Sequence, residues 1–234
     1  MELSKFLKLY DGHKLEEKDL SSYEKWSLQF FHKKEFVREP NLQITLQLEI
    51  TKAYNTYKNE CDTVIGASFT SYLMWHIIKT TQNHPYFRYR NIDGEWYIFN
   101  NLPVFSPIGI GGDARFSEII VENGSIEDYA AFTNNYRSKV DKSFNMREFE
   151  PLDELVWANS HFIGNLPNLQ FTGFQLHTPT KNSGRPYFYF GKRYQTNDER
   201  FIPLLVMFDH SNLDPFVLSD FMNEFQSRID ENKH

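Results

Sequence analysis

The chain has 234 residues, with 25 Lys and Arg against 31 Asp and Glu, a formal net charge of −6, 40% apolar and 17% aromatic residues. That length supports one large domain or two small ones around a substantial core, and the acidic balance argues against a general nucleic-acid binder, which needs a basic excess. Cys61 stands alone, so an intramolecular disulfide is excluded and a reducing cytosol is expected. The opening MELSKFLKLYDGHKLEEKD is too charged for a signal peptide, and no apolar run approaches the ~20 residues that span a bilayer. A cytoplasmic globular protein is expected, and no Cys/His spacing suggests a metal site.

Residues 1–25 are polar, with scattered Phe and Leu, and read as an arm packed loosely against a single domain of residues 26–234. Leu42 to Ile50 alternates apolar and polar side chains, which predicts a half-buried strand. Ser68 to Thr80 reads as a helix, because Phe69, Leu73 and Ile77 recur on one face. Tyr86–Ile92 and Glu95–Phe99 flank Asp93-Gly94, a strong hairpin signal. Gly109-Ile110-Gly111-Gly112 reads as a turn before a strand over Arg115–Val121, not as a dinucleotide loop, since no helix pattern follows.

Ser125 to Asp141 is predicted as a helix, with Ser125 and Asp128 resembling a capping box and Ile126, Tyr129, Tyr136 and Val140 as its buried stripe. Strands follow at Leu169–His177 and Tyr187–Tyr194, joined by a polar Pro/Asn/Ser/Gly loop. Phe201–Phe208 is almost wholly apolar, as a strand buried on both faces should be. Pro215–Asp230 closes the chain as a helix with Leu218, Phe221, Met222, Phe225 and Ile229 on its core face. The mix is α+β.

The segment FIPLLVMFDHSNLDPFVLSDFMNEF carries the most chemistry. A buried strand runs into His210, and a histidine at a strand end is held by rigid backbone. Neutral imidazole is the natural general base near neutral pH, able to take the proton of a hydroxyl as it attacks an acyl group. Asp214, four residues on, also reads as the N-cap of the final helix, with Pro215 at its first position. His76 reads as a packed or surface histidine, Cys61 as a small core residue, and His177 as a strand-end histidine that could face the cleft beside Gly173.

The same segment resembles the end of the chloramphenicol acetyltransferases, where a buried strand leads into HHxxxDG and a C-terminal helix. Phe190-Gly191-Lys192 with Ile202-Pro203-Leu204 is similar to that family's MGKY…PL stretch, and Phe171-Thr172-Gly173-Phe174-Gln175-Leu176 to its FTSF-x-L strand. His84-Pro85-Tyr86-Phe87-Arg88 with Asp93-Gly94-Glu95 is similar to its HPEFR…DGE hairpin, and Leu48-Glu49-Ile50-Thr51 to its LDIT strand. The segments keep the family's order from about Leu42 to Ile229. The resemblance implies a mixed β-sheet packed by helices, a CoA-dependent acyltransferase fold. It also implies acetyl-CoA as co-substrate, a small-molecule hydroxyl acceptor, and a homotrimer with each active site between subunits.

By position, His210 falls on the family's general base and Asp214 on its motif aspartate, which in the family braces an N-terminal arginine. Asp209 stands where the family has the first motif histidine, and Pro215 where it has glycine. The stretch matching the family's arginine segment, Trp26-Ser27-Leu28-Gln29-Phe30-Phe31, has no arginine. Asp214 then has another partner or serves as the cap alone. Gly173 replaces the serine whose hydroxyl stabilises the oxyanion, a donor worth ~100- to 1000-fold in turnover. Tyr189 replaces a threonine that contacts the intermediate through water. Because Gly173 vacates space, Tyr189 could donate the missing hydrogen bond, or fill the pocket and end acetyl transfer. Lys192 falls on the lysine along the coenzyme path. Arg193 follows where the family has tyrosine, and in a strand only one of the two cations would line a given groove. The expected function is acyl transfer from a CoA thioester to a hydroxyl of a small apolar acceptor, with chloramphenicol as one candidate. The alternative is a diverged member that binds a ligand without chemistry or joins an acyl group to an amine from a carrier protein.

Overall fold

The computed structural model describes residues 1–146, 152–177 and 183–233. Elements are numbered in chain order. Helix α1 (Leu3–Leu9) and strand β1 (Gly12–Lys14) lead to α2 (Ser22–Phe30), β2 (Asn41–Glu49), α3 (Thr51–Glu60) and α4 (Phe69–Asn83). The hairpins β3 (Tyr89–Ile92)/β4 (Glu95–Phe99) and β5 (Val104–Gly111)/β6 (Arg115–Val121) follow. Next come α5 (Tyr129–Met146), α6 (Glu154–Asn159), β7 (His161–Asn165), β8 (Tyr187–Phe190), β9 (Tyr194–Thr196), β10 (Glu199–Asp209) and α7 (Pro215–Glu231).

The main sheet runs β2-β10-β8-β7-β5-β6, with β9 pairing the start of β10. The β5/β7 and β7/β8 pairs are parallel and the others antiparallel, so the sheet is mixed. A three-stranded sheet, β1-β4-β3, stands beside it. The fold is α+β, as expected.

Strand β10 is the axis of the molecule. Ile202, Leu204, Val206 and Phe208 face the helices and join one core with Leu218, Phe221, Phe225 and Ile229 of α7. Leu205 and Met207 point the other way and are also buried, which is why this run shows no alternation. Helix α4 is buried nearly all round, from Phe69 through Met74, Trp75 and Ile78 to Thr81, because α5 and α7 pack on it from one side and β7 from another. His76 lies wholly inside that packing, against Tyr72 and Trp75, and Cys61 is a core residue whose thiol burial pushes up to about 11.

Several expectations change. The first helix is not loosely held: Phe6 and Tyr10 are buried with Phe99, Leu102 and Val156 in a second apolar cluster. The cap of α5 is Asp128, whose carboxylate accepts from Ala131 N at 2.8 Å. Ser125 bonds Asn101 instead, and Ile126 lies outside the helix, 71% exposed. Of the Gly109–Gly112 run read as a turn, Gly109 and Ile110 lie in β5, and Gly111 and Gly112, both at positive φ, lead into the turn that closes the β5/β6 hairpin.

Residues 169–177 form no strand within the chain. Their backbone is held by glutamines on the polar face of β2: Gln43 accepts from Leu176 N at 3.0 Å, and Gln47 donates to Phe171 O at 3.1 Å. The predicted loop between 177 and 187 falls partly on residues 178–182, outside the described residues. Helix α3 escapes sequence reading because only Ala53 and Tyr57 are buried, too few for an apolar stripe.

Candidate active site

Strand β10 ends in a turn that holds His210. Its backbone N–H donates to Pro40 O at 2.9 Å, and Leu213 N closes the turn on Asp209 O at 3.0 Å. The imidazole Nδ1 lies 3.1 Å from Leu213 O. A carbonyl oxygen can only accept, so Nδ1 carries a proton, and in the neutral ring Nε2 is then the nitrogen with the lone pair. The ring is half-buried against Phe31, with centroids 4.3 Å apart.

Asp214 caps α7, its Oδ1 accepting from Phe216 N at 2.8 Å and Val217 N at 2.9 Å. This is the capping role that the sequence allowed, and the carboxylate is spent on the helix end. The N-terminal tie to the strand end is made by other residues. Ser27 Oγ donates to Ser211 O at 2.8 Å, and His32 Nε2 donates to Oδ2 of the wholly buried Asp209 at 2.8 Å. Sequence reading looked for an arginine on Asp214 and missed this pairing. The signal was the aspartate in a motif histidine's place, which needed a buried partner.

His210 borders a small cleft with Glu24, Tyr86, Tyr89 and Asp214. Tyr189 is not there. It pairs with Leu205 in the β8/β10 ladder, five residues before His210, which is roughly 17 Å along a strand. Tyr189 instead lines an aromatic concavity of about 720 Å³ with Phe105, Trp157, Phe162 and His177. One chain therefore does not bring His210 and Tyr189 together, while His177 does face the Tyr189 concavity.

The space that Tyr189 occupies comes from Gly164, not from Gly173. A Cβ on Gly164 would lie 2.3 Å from the Tyr189 ring, whereas among the described residues nothing lies within 4 Å of the same position on Gly173. Gly164 and Tyr189 are register partners in the parallel β7/β8 pair, a relation no local pattern reveals. Burial pushes the Tyr189 phenol up to about 12, so it stays a hydrogen-bond donor. Behind the concavity, Arg185 is 1% exposed, its guanidinium 4.6 Å from the Trp157 ring centroid and 4.5 Å from that of Tyr187. Burial raises the Glu118 carboxyl at the rim, against the opposing pull of Arg185 and a hydrogen bond with Trp157. Burial and the nearby Arg90 and Arg88 push His161 well below the usual imidazole range, so this wholly enclosed ring is neutral.

Lys192 and Arg193 both line one cleft with Phe69, Thr70 and Asn165, against the expectation that only one would. Residues 191–193 lie between β8 and β9 rather than in a strand, so strand alternation does not apply. Arg193 also rests on the Tyr54 and Phe69 rings at 5.3 Å each. No group of His, Cys, Asp and Glu among the described residues could hold a metal ion, and no described helix is long and apolar enough to cross a membrane.

This architecture is shared with solved acetyltransferases. A chloramphenicol acetyltransferase structure superposes with a TM-score of 0.73 at 19% identity, over 93% of this chain and 99% of that one. The dihydrolipoamide acetyltransferase of Azotobacter vinelandii gives 0.59 at 13% identity, over 94% and 93%. In sequence, the chloramphenicol acetyltransferase of Staphylococcus aureus is 24% identical over 215 residues, 90% of this chain and 98% of that protein. The enzyme of that name from Clostridium butyricum is 26% identical over 189 residues, 78% and 81% respectively. The chloramphenicol acetyltransferase family model matches residues 16–226, and the chain belongs to that family.

Proposed function

We propose that this protein transfers an acyl group, acetyl in the first instance, from a CoA thioester to a hydroxyl of a small apolar acceptor, with His210 as the general base. The observation that carries this reading is the Nδ1–Leu213 O bond, which leaves Nε2 as a lone pair at the mouth of a rigid strand. Nε2 takes the acceptor's hydroxyl proton as that oxygen attacks the thioester carbonyl. The tetrahedral intermediate then expels the thiolate, which recovers the proton from the imidazolium. For this Nε2 must come within about 3 Å of the acceptor oxygen. Asp214 supports the reaction only by fixing the start of α7.

The acceptor is proposed to sit in the aromatic concavity of one chain, facing His210 of the next in a homotrimer. Two features support this: the concavity and His210 lie far apart along β10 in a single chain, and the concavity is apolar and open. Tyr189, with its phenol protonated, is proposed as the donor to the oxyanion in place of the hydroxyl that Gly173 lacks. Lys192 and Arg193, on one cleft, suit the phosphates of the coenzyme. A cytoplasmic setting fits a CoA thioester and the single buried thiol.

The test is calorimetric titration of the purified protein with CoA and acetyl-CoA, followed by thiol release with chloramphenicol as the first acceptor. Micromolar binding at one site per chain is expected. No binding at millimolar ligand would sink the reading and turn attention to a carrier-protein or ligand-binding role.

A further inference from the structure

Asp209 is wholly buried at the end of β10, and each of its carboxylate oxygens has a separate task. Oδ1 accepts from Ser211 N at 2.8 Å and from the Ser211 hydroxyl. This side-chain-to-backbone bond, two residues on, closes a tight local turn. The same turn carries His210 and brings Leu213 O to its Nδ1. Oδ2 reaches across the molecule to His32 Nε2 at 2.8 Å. His32 follows Phe31, the end of α2, whose ring covers His210 at 4.3 Å. One carboxylate thus ties the two things that fix the His210 ring: the turn that sets its protonated nitrogen, and the aromatic wall on its face.

We propose that His32, acting through Asp209, is a positioning residue for His210, holding both the turn that presents the Leu213 carbonyl and the Phe31 wall against the ring. This rests on the reading of His210 as the base. The physical reason is local. Phe31 and His32 lie in a short connection between α2 and β2, and such a segment is ordered by the contacts that tie it down. Ser27 holds the turn from α2, its hydroxyl donating to Ser211 O at 2.8 Å, and its carbonyl accepts from Phe31 N at 3.4 Å. Without His32, Oδ2 loses its bond to the α2–β2 connection and that connection loses this tie to the strand, so the Phe31 ring can shift against His210.

The experiment uses the full-length protein with its histidines labelled with nitrogen-15, the His210 ring signals being assigned by His210→Gln. In the unsubstituted protein the ring shows a protonated Nδ1 and a bare Nε2 at a pH where it is neutral. His32→Ala lets water reach Asp209 and should lose that signature, giving the averaged pattern of a free imidazole. His32→Gln places an amide donor near Oδ2 and should restore it. If His32→Ala folds and assembles as the parent does and its His210 signals do not move, the proposal is overturned. If His32→Ala does not fold, Phe31→Ala decides, because it leaves the His32 and Ser211 bonds to Asp209 in place. Loss of the protonated-Nδ1, bare-Nε2 signature supports the proposal and its retention overturns it. The readout needs neither acyl donor nor acceptor, so its failure is separate from failure of the acyl-transfer reading. Where thiol release is measurable, His32→Ala should lower kcat about tenfold with the KM for acetyl-CoA unchanged, and His32→Gln should recover most of the loss.

Discussion

The end of β10 and the aromatic concavity over β5, β7 and β8 differ in how their atoms are satisfied. Around His210 three side chains are held by directional hydrogen bonds within the chain: Asp209 on His32 and Ser211, Asp214 Oδ1 on the α7 backbone, and His210 Nδ1 on Leu213 O. Around Tyr189 the walls are rings, and Phe116 at the rim is 45% exposed. Hydrogen bonds are directional and fix an orientation, whereas aromatic surface supplies area and accepts many shapes. The first region fixes the orientation of one ring, and the second offers apolar area. On the proposed reading the reaction needs one of each, taken from different chains.

The sharpest way to break that comparison is to remove the aimed atom. His210→Ala should cost about 10²- to 10⁴-fold in thiol release, with the oligomer intact by size-exclusion chromatography. A folded, fully active variant would end the assignment of His210. On the receiving side, Tyr189→Phe should cost about 100-fold in turnover, and adding Gly173→Ser should restore activity. Unchanged turnover in Tyr189→Phe sinks the donor role. Because its folded-state pKa is raised to about 12, the phenol keeps its proton through the neutral and mildly alkaline range. Turnover there should show no alkaline loss that Tyr189→Phe removes.

Smaller changes sharpen the contrast between shape and aim. Gly164→Ala puts a Cβ 2.3 Å from the Tyr189 ring. Overpacking of this kind should destabilise the fold by about 1–3 kcal/mol and alter acceptor KM while leaving the His210 tautomer as it was. Denaturant melts and acceptor kinetics check both. Asp214→Ala removes a cap that holds two backbone N–H groups and should cost about 1 kcal/mol in the same melts. Asp214→Asn, which still accepts, should recover most of it. A much larger loss of turnover than of stability in Asp214→Ala would give this carboxylate a role that its cap geometry does not.

Much of the fold was legible because the signals are local. Alternation over Leu42–Ile50, the Asp93-Gly94 turn, the apolar run into His210 and the Asp214-Pro215 helix start each arise from residues close in the chain. The final helix begins where its cap and proline say it should. Elements with weak or no periodicity were not legible: α3 is mostly polar, and β7 is five residues whose neighbours lie far away in sequence. The segment 169–177 has a strand's composition without a strand's partner among the described residues, and a strand is defined by its ladder.

The α+β class, the place of β10 and α7, the family resemblance, and His210 and Asp214 as the residues to watch can all be read along the linear chain. Those depend on composition, spacing and capping, which a linear chain states openly. It took the packed fold to show that Gly164 makes room for Tyr189, that Lys192 and Arg193 share a cleft, and that His32 rather than an arginine ties the N-terminal region to the strand. The first and last are contacts between distant residues, set by strand register and by the need of a buried carboxylate for partners, and the shared cleft follows from residues 191–193 leaving strand geometry. No pattern within a few residues of either partner encodes those two contacts.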